Sequence, residues 1–350
     1  MTSLRIGFGA CIRTCRRRGR AGKRFGIVRS LSLLQSDAKQ VRSDNNHCVT
    51  VVQTRDKEGY LCGLLMPSSA RNEYFALRAF NAELATVKVS PERRRYVEGD
   101  DAVSSVGLQL RMQWWREALD EIFSNQDESV SSVKNYEKNP VVRALARAVR
   151  KLQLTKRFLE RMLDAREADL HIQQMKTIDN SIMYAEDSCS SLLYLSLECC
   201  NVRDDAADEV ASNIGVAWGL VTAIRSAPHR AITKEMSIPS DLLIKSITPD
   251  YLLARQDPHY QLNEVNEKSL REAVQHMAYL ASGHLARATE TQFVVPKNGR
   301  PALLPAVPAM HYLMRLKETE YNIFDPRLHP DESKLILMAM LARAWLTGRF

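Results

Sequence analysis

An all-α fold in a single domain is what this chain of 350 residues predicts, and three observations carry the prediction. Apolar residues recur at helical spacing almost throughout, alternating β-branched runs are few, and helix-starting residues stand ahead of several periodic segments. Residues 69–88 and 106–124 read as the first two helices by that spacing. Asn139-Pro140 then offers an N-cap followed by Pro at the first helical position, and Val141, Leu145, Val149 and Leu152 fall on one face. Thr155 restarts a helix that carries Phe158, Leu159, Met162 and Leu163. Stretches 178–200 and 204–227 follow, and Leu270, Val274, Met277, Ala281 and Leu285 mark a long helix beginning near Asn263. Residues 300–319 and 332–348 complete the set. The least regular part is 228–261, where Pro228, Pro239, Pro249 and Pro258 punctuate the chain. No Pro/Gly/Ser-rich linker, internal repeat or low-complexity tract divides residues 43–350, so they read as one helical domain.

Charge is distributed unevenly. Arg5, Arg13, Arg16, Arg17, Arg18, Arg20, Lys23, Arg24 and Arg29 precede the first acidic residue, Asp37, leaving 40 Lys and Arg against 41 Asp and Glu in the remainder. The net charge of +8 therefore belongs to the leader. An Arg-rich, Ser-containing, acid-free N-terminus without a continuous apolar run predicts a mitochondrial presequence over residues 1–42, cleaved between about 29 and 45. A nucleic-acid-binding arm is disfavoured, because the rest of the chain is neither basic nor equipped with a base-stacking motif. The apolar stretch Leu335 to Leu346 covers 12 residues and includes Arg343, short of the ~20 residues a bilayer requires, so the protein is expected to be soluble or peripheral.

The usual chemical signatures are missing. Cys48, Cys62, Cys189, Cys199 and Cys200 make no C-x-x-C pair, the histidines make no H-E-x-x-H, and G-x-S-x-G, P-loop and G-x-G-x-x-G patterns do not occur. Buried free thiols in a reducing compartment are expected. The acidic pairs Glu117/Glu121 and Glu160/Asp164 have basic residues among them and read as solvated faces. Asp204-Asp205-Ala206-Ala207-Asp208 matches D-D-x-x-D literally, but it opens a helix, where acidic residues cap the end and complement the dipole.

A stripe of small residues marks the helix over 204–227. Ala211, Gly215, Gly219, Thr222 and Ser226 share one face at ~100° per residue. Such a stripe either lets another helix approach closely or leaves a cavity.

The segment Ile214 to Pro239 resembles the second signature of the squalene/phytoene synthase family, G-x-A-x-Q-L-x-N-x-x-R-D-x-x-x-D running to Leu-Pro. Gly215, Ala217, Leu220, Arg225 and Pro239 keep that frame, whereas Gly219, Thr222, Ser226 and Arg230 stand where the family has Gln, Asn and two Asp. The first signature resembles Tyr74 to Glu83, but where the synthases continue into an Asp-rich run this chain reads Ala85-Thr86-Val87-Lys88-Val89. Further family-like stretches are Gln113 to Glu117, Asn139-Pro140-Val141, Tyr184-Ala185 and Pro305 to Leu313.

Ionising an allylic diphosphate requires Mg²⁺ held by carboxylates on facing helices. Glu83 has no acidic partner at position 87, positions 85, 89 and 226 carry no carboxylate, and Arg230 brings positive charge. The resemblance therefore implies an isoprenoid-synthase-like fold whose pocket is vestigial, lined by Arg78, Asn81, Ala85, Gly215, Gly219, Thr222, Arg225 and Ser226, with no catalytic residue, metal or cofactor. Arg225 alone could attract a phosphate without organising a metal cluster.

Through Tyr60 to Pro67, Leu77 to Asn81, Arg111 to Trp114 and Ser190 to Leu195 the chain is more similar to the family's mitochondrial branch, whose members are assembly factors for respiratory complex I. That resemblance implies a non-catalytic role beside complex I subunits or assembly intermediates. It places the protein peripherally on the matrix side of the inner membrane, with an apolar ligand or a hydrophobic subunit segment as the guest of the old groove. The competing readings are an active prenyl-diphosphate transferase with rearranged ligands and a generic helical scaffold whose pocket is filled by side chains.

Overall fold

The computed structural model describes residues 19–88, 101–124, 138–257, 259–328 and 334–350. Residues 1–18 of the leader, Val89, Pro258 and the start of the 332–348 segment lie outside them. The chain divides into two compact units, residues 1–43 and 44–350. In the first unit the described residues belong to one helix, α1 (Gly19–Arg55), which continues into the second unit.

The second unit is all-α. Its helices are α2 (Lys57–Leu64), α3 (Arg71–Lys88), α4 (Asp101–Ser124), α5 (Pro140–Leu152), α6 (Lys156–Asp169), α7 (Ile178–Ala185), α8 (Ser191–Cys199), α9 (Asp205–Arg230), α10 (Pro249–Ala254), α11 (Glu264–Thr291), α12 (Ala306–Glu318) and α13 (Lys334–Thr347). No strand occurs among the described residues, and a single parallel bridge joins Gln174 to Met236. No described helix is long and apolar enough to cross a membrane.

Local chemistry explains where several helices start. Asn139 accepts hydrogen bonds from the Val141 and Val142 amides at 2.8 and 3.2 Å ahead of Pro140, and Asn263 caps α11 through the Val265 and Asn266 amides. Asp204 accepts from the Ala207 amide at 2.9 Å, so the D-D-x-x-D look-alike begins with the N-cap of α9. The last turn of α9 runs through Pro228 to Arg230, three residues beyond the sequence-predicted end. Within the proline-punctuated 228–261 segment, Thr248 and Pro249 start the short α10.

The C-terminal part of α1 and all of α2 did not stand out by apolar spacing. Asp44, Cys48, Val51 and Val52 form a buried helical face, but its first member is a carboxylate. Asp44 is buried because Arg143 grips it through Nε at 3.1 Å and Nη2 at 2.5 Å, while Arg147 reaches it at 2.8 Å. A polar residue whose ion pairs come from across the fold hides the periodicity.

At the centre, α9 packs against α11 and against the run α7–α8, which a π-helical turn at Glu186–Ser190 interrupts. The turn is held by Glu186, which accepts from the Tyr194 hydroxyl at 2.6 Å and the Ser212 hydroxyl at 2.7 Å. Burial by itself would raise the Glu186 pKa, but these hydrogen bonds and the nearby Arg161 hold it below the ordinary value. On the other side of the core, α3 packs on α5 and α8, with Phe80 edge-on to Trp115 at 5.2 Å.

Candidate functional site: the facing helices α3 and α9

Arg78 is the most deeply buried cation of α3, with 1% of its side chain exposed. Its Nη1 donates to Asp56 Oδ2 at 2.8 Å, its Nε donates to the Tyr74 hydroxyl at 3.0 Å, and its guanidinium lies 4.7 Å from the centre of the Trp218 ring of α9. Tyr74 in turn donates to the Gly59 carbonyl at 3.1 Å. Asp56 also caps α2 through the Gly59 amide. One carboxylate thus fixes both a helix start and a buried arginine, while Arg78 Nη2 is left without a hydrogen-bond partner.

One turn along α3, Asn81 accepts from Arg166 Nη2 at 3.4 Å, and Arg166 Nη1 donates to the Tyr184 hydroxyl at 2.6 Å. Burial pushes the Tyr184 phenol above its usual range. Ala85 is half-buried. At the end of α3 the buried Lys88 ammonium lies 3.0 Å from Asp169, 3.6 Å from Glu235 and 2.8 Å from the Ile172 carbonyl. Burial lowers the Lys88 pKa, and the two carboxylates offset part of that effect. Glu235 also faces Arg230 at 3.4 Å. Lys88, Asp169, Glu235 and Arg230 form a charge-balanced cluster.

On α9 the small-residue stripe has two different fates. A methyl group on Gly215 would come within 2.3 to 2.6 Å of Ser190, and one on Gly219 within 2.3 Å of the Ala185 methyl. At these positions the stripe meets α7 and the π turn directly. Thr222 is exposed and donates to the Trp218 carbonyl at 2.8 Å, and Ser226 donates to Ala223 O at 3.2 Å. Arg225 pairs with Glu58 of α2 at 2.6 Å and lies 5.9 Å from the centre of the Tyr312 ring of α12.

Arg225 also borders a cavity of about 1290 Å³ between α2, the end of α9, α12 and α13. Tyr60, Leu61, Tyr312 and Leu337 contribute apolar surface to it, and Arg255 and Arg315 stand with Arg225 among its lining residues. Arg225 and Arg255 are already paired with Glu58 and Glu267, so the lining is mixed rather than purely cationic. Of the eight residues expected to line one pocket, Arg225 alone borders this cavity. Arg78 and Asn81 are tied into the polar contacts of α3, and Gly215 and Gly219 into the helix contact.

Comparison with known proteins agrees with this architecture. The sequence profile of the squalene/phytoene synthase family matches residues 52–334. The chain belongs to the squalene/phytoene synthase family. A Bos taurus relative of the chain, named NADH dehydrogenase (ubiquinone) complex I, assembly factor 6, is 33% identical over 303 residues, covering 86% of this chain and 82% of the relative. The Homo sapiens protein of that name is 32% identical over 302 residues, covering 86% and 82%. A Drosophila melanogaster homologue is 31% identical over 290 residues, covering 81% and 80%. Among solved structures, a dehydrosqualene synthase in complex with ligand aligns with a TM-score of 0.66 at 14% identity, covering 89% of this chain and 99% of that one. A squalene synthase from Alicyclobacillus acidocaldarius aligns at 0.62 and 15% identity, covering 81% and 96%. Both carry the same all-α fold.

Within the squalene/phytoene synthase frame, side chains of the chain itself meet the residues that stand at the signature positions. Asn81 is held by Arg166 and Arg230 faces Glu235, while Val89 lies outside the described residues. Among the described residues no three His, Cys, Asp or Glu side chains gather as a metal site would need. Sequence reasoning missed Asp56, Trp218 and Glu235 as partners of the site. Asp56 and Trp218 reach Arg78 from other segments, and Glu235 reaches Lys88 from another, so the spacing along α3 did not point to them. Tyr60 and Leu61 were quoted only for resemblance, and their place on the wall of a cavity that α12 also borders is set by the fold.

Proposed function

We propose that this chain is a non-catalytic assembly factor for mitochondrial respiratory complex I, using a degenerate isoprenoid-synthase fold as a binding scaffold. The observation that carries the reading is the pairing of the family fold with Ala85, Ser226 and Arg230 on the helices that would hold metal-bound diphosphate. Arg230 offers no oxygen ligand to Mg²⁺, and its guanidinium is paired with Glu235. The name shared by the Bos taurus, Homo sapiens and Drosophila melanogaster relatives supports the assembly role.

In this reading the protein works peripherally on the matrix side of the inner membrane, delivered there by the leader. Its partners are complex I subunits or assembly intermediates. The cavity beside Arg225 receives an apolar ligand or a hydrophobic segment of a membrane-arm subunit. Cells lacking the chain are expected to lose complex I on native gels and to regain it on re-expression. Normal complex I without the chain would sink the assembly role. Purified protein given Mg²⁺ and radiolabelled farnesyl diphosphate is expected to form no product, and label in a condensed product above the no-protein control would restore the transferase reading.

A further inference from the structure

Helix α13 packs on the rest of the fold through one narrow side. Leu337, Leu341 and Ala344 are buried, whereas Leu335 is 82% exposed, Leu346 75%, Ile336 57% and Trp345 48%. At ~100° per residue, Leu335, Ala339, Ala342 and Leu346 fall within about 60° of one another on the outer side. Arg343 stands at the margin of that face. A helix that turns its apolar residues outward is either covered by something or inserted into something.

The surroundings decide between occupants. The chain after α13 folds back on the segment that follows α11: the Phe350 amide donates to Gln292 Oε1 at 3.2 Å, and Arg349 lies 5.2 Å from the centre of the exposed Phe293 ring. Arg300 stacks on the same ring at 5.8 Å, and a groove lined by Lys297, Arg300, Trp345, Leu346 and Phe350 joins the two segments. Neither residues 291–304 nor residues 334–350 contain an Asp or Glu, while they supply Lys297, Arg300, Lys334, Arg343 and Arg349. A second copy of this chain meeting the face about a two-fold axis would bring like charges together. An outward apolar ridge with half-exposed Trp345 on its flank, where it borders the groove, and Arg around it has the composition of a helix that lies in a bilayer interface, with apolar side chains among the acyl chains and guanidinium groups at anionic headgroups.

We infer that α13, with Phe293, Arg300 and Arg349 beside it, is the surface that seats this protein on an anionic phospholipid bilayer. The inference rests on the peripheral-membrane part of the reading above. Vesicles contain no complex I, so failure here is read separately from failure of the assembly role.

The test uses the full chain with vesicles of phosphatidylcholine and phosphatidylglycerol whose acyl chains are brominated. The Arg-rich leader will itself bind such vesicles, so binding alone decides nothing. Bromine quenches a tryptophan only within the acyl region, and the leader has none: the four tryptophans are Trp114, Trp115, Trp218 and Trp345. Quenching is expected in the native chain and is expected to vanish in Trp345→Phe while vesicle binding persists. Leu335→Gln with Leu346→Gln should lower the quenched fraction roughly tenfold. If that double variant fails to fold by circular dichroism, the Trp345→Phe comparison decides alone. A vesicle-bound chain with Trp345 unquenched, no vesicle binding at all, or a dimer in sedimentation that shields Trp345 would each overturn the assignment.

Discussion

Gly219 lies so close to Ala185 that a methyl group on its α-carbon would stand 2.3 Å from the Ala185 methyl and 3.1 Å from its α-carbon. Neither neighbour is the far end of a flexible side chain, so relief requires that α9 and α7 move apart.

Gly219→Ala is therefore expected to destabilise the protein by ~1 to 3 kcal/mol, against the gain in helix propensity that Ala would bring to a solvent-facing glycine. Urea denaturation of the purified chain measures it. Thr222→Ala, at the exposed end of the same stripe, should change stability by no more than about 0.5 kcal/mol. Equal effects at both positions would remove the distinction between the packed and exposed parts of the stripe.

Arg78 and Asp56 form a pair in which one member is almost wholly buried. Asp56→Asn strands a buried guanidinium and should cost ~3 to 5 kcal/mol. Removing both charges with Arg78→Met and Asp56→Asn should recover part of that loss, because burying the pair itself requires desolvation. A double-mutant cycle by urea denaturation reads the coupling, and strictly additive losses would refute it.

Asp208 titrates unusually. Burial, followed by repulsion from Glu198, Asp205 and Asp204, raises its pKa from 3.8 to about 6. The folded state then binds the proton more tightly than the unfolded chain, so this group's contribution falls as pH rises between about 4 and 6 and stays low above. Asp208→Asn removes that penalty and should stabilise the protein at pH 7.5 by roughly 1 kcal/mol or less after solvent screening. The advantage should shrink as pH falls through 6. Melting curves across that range check it, and an advantage that grows on acidification would reverse the sign of the argument.

The cavity beside Arg225 makes its own prediction. Leu61→Trp puts a larger ring into the space between α2 and α12. Under the proposed function, complex I on native gels should fall while the protein stays at normal abundance. Normal complex I with a stably expressed variant would remove the cavity from the mechanism.

Under the proposed function, with residues 1–42 as a presequence, deleting residues 1–36 should leave a folded protein in the cytosol. Cell fractionation reads the outcome, and matrix import of the truncated chain would refute the presequence.

The sequence by itself determined the helices whose periodicity and caps are local. Asn139-Pro140 and Asn263 start α5 and α11 as read, and Asp204 caps α9 because its side chain needs only the backbone three residues on. It also determined which side chains stand at the signature positions on α3 and α9. Tertiary structure decided what those side chains meet. The face of α1 was illegible because Asp44 looks like a surface residue until Arg143 and Arg147, about 100 positions away, neutralise it. Small residues at Gly215 and Gly219 were compatible with a pocket or a contact, and only the position of Ala185 and of the π turn at Ser190 shows that α7 and that turn occupy the space. The outward face of α13 was equally hidden, since a run of Leu, Ile, Met and Trp reads as core until the fold shows which side has neighbours. Caps and periodicity act over a few residues and can be read along the chain, whereas burial and ion pairing are properties of the partner, which the chain reaches only by folding.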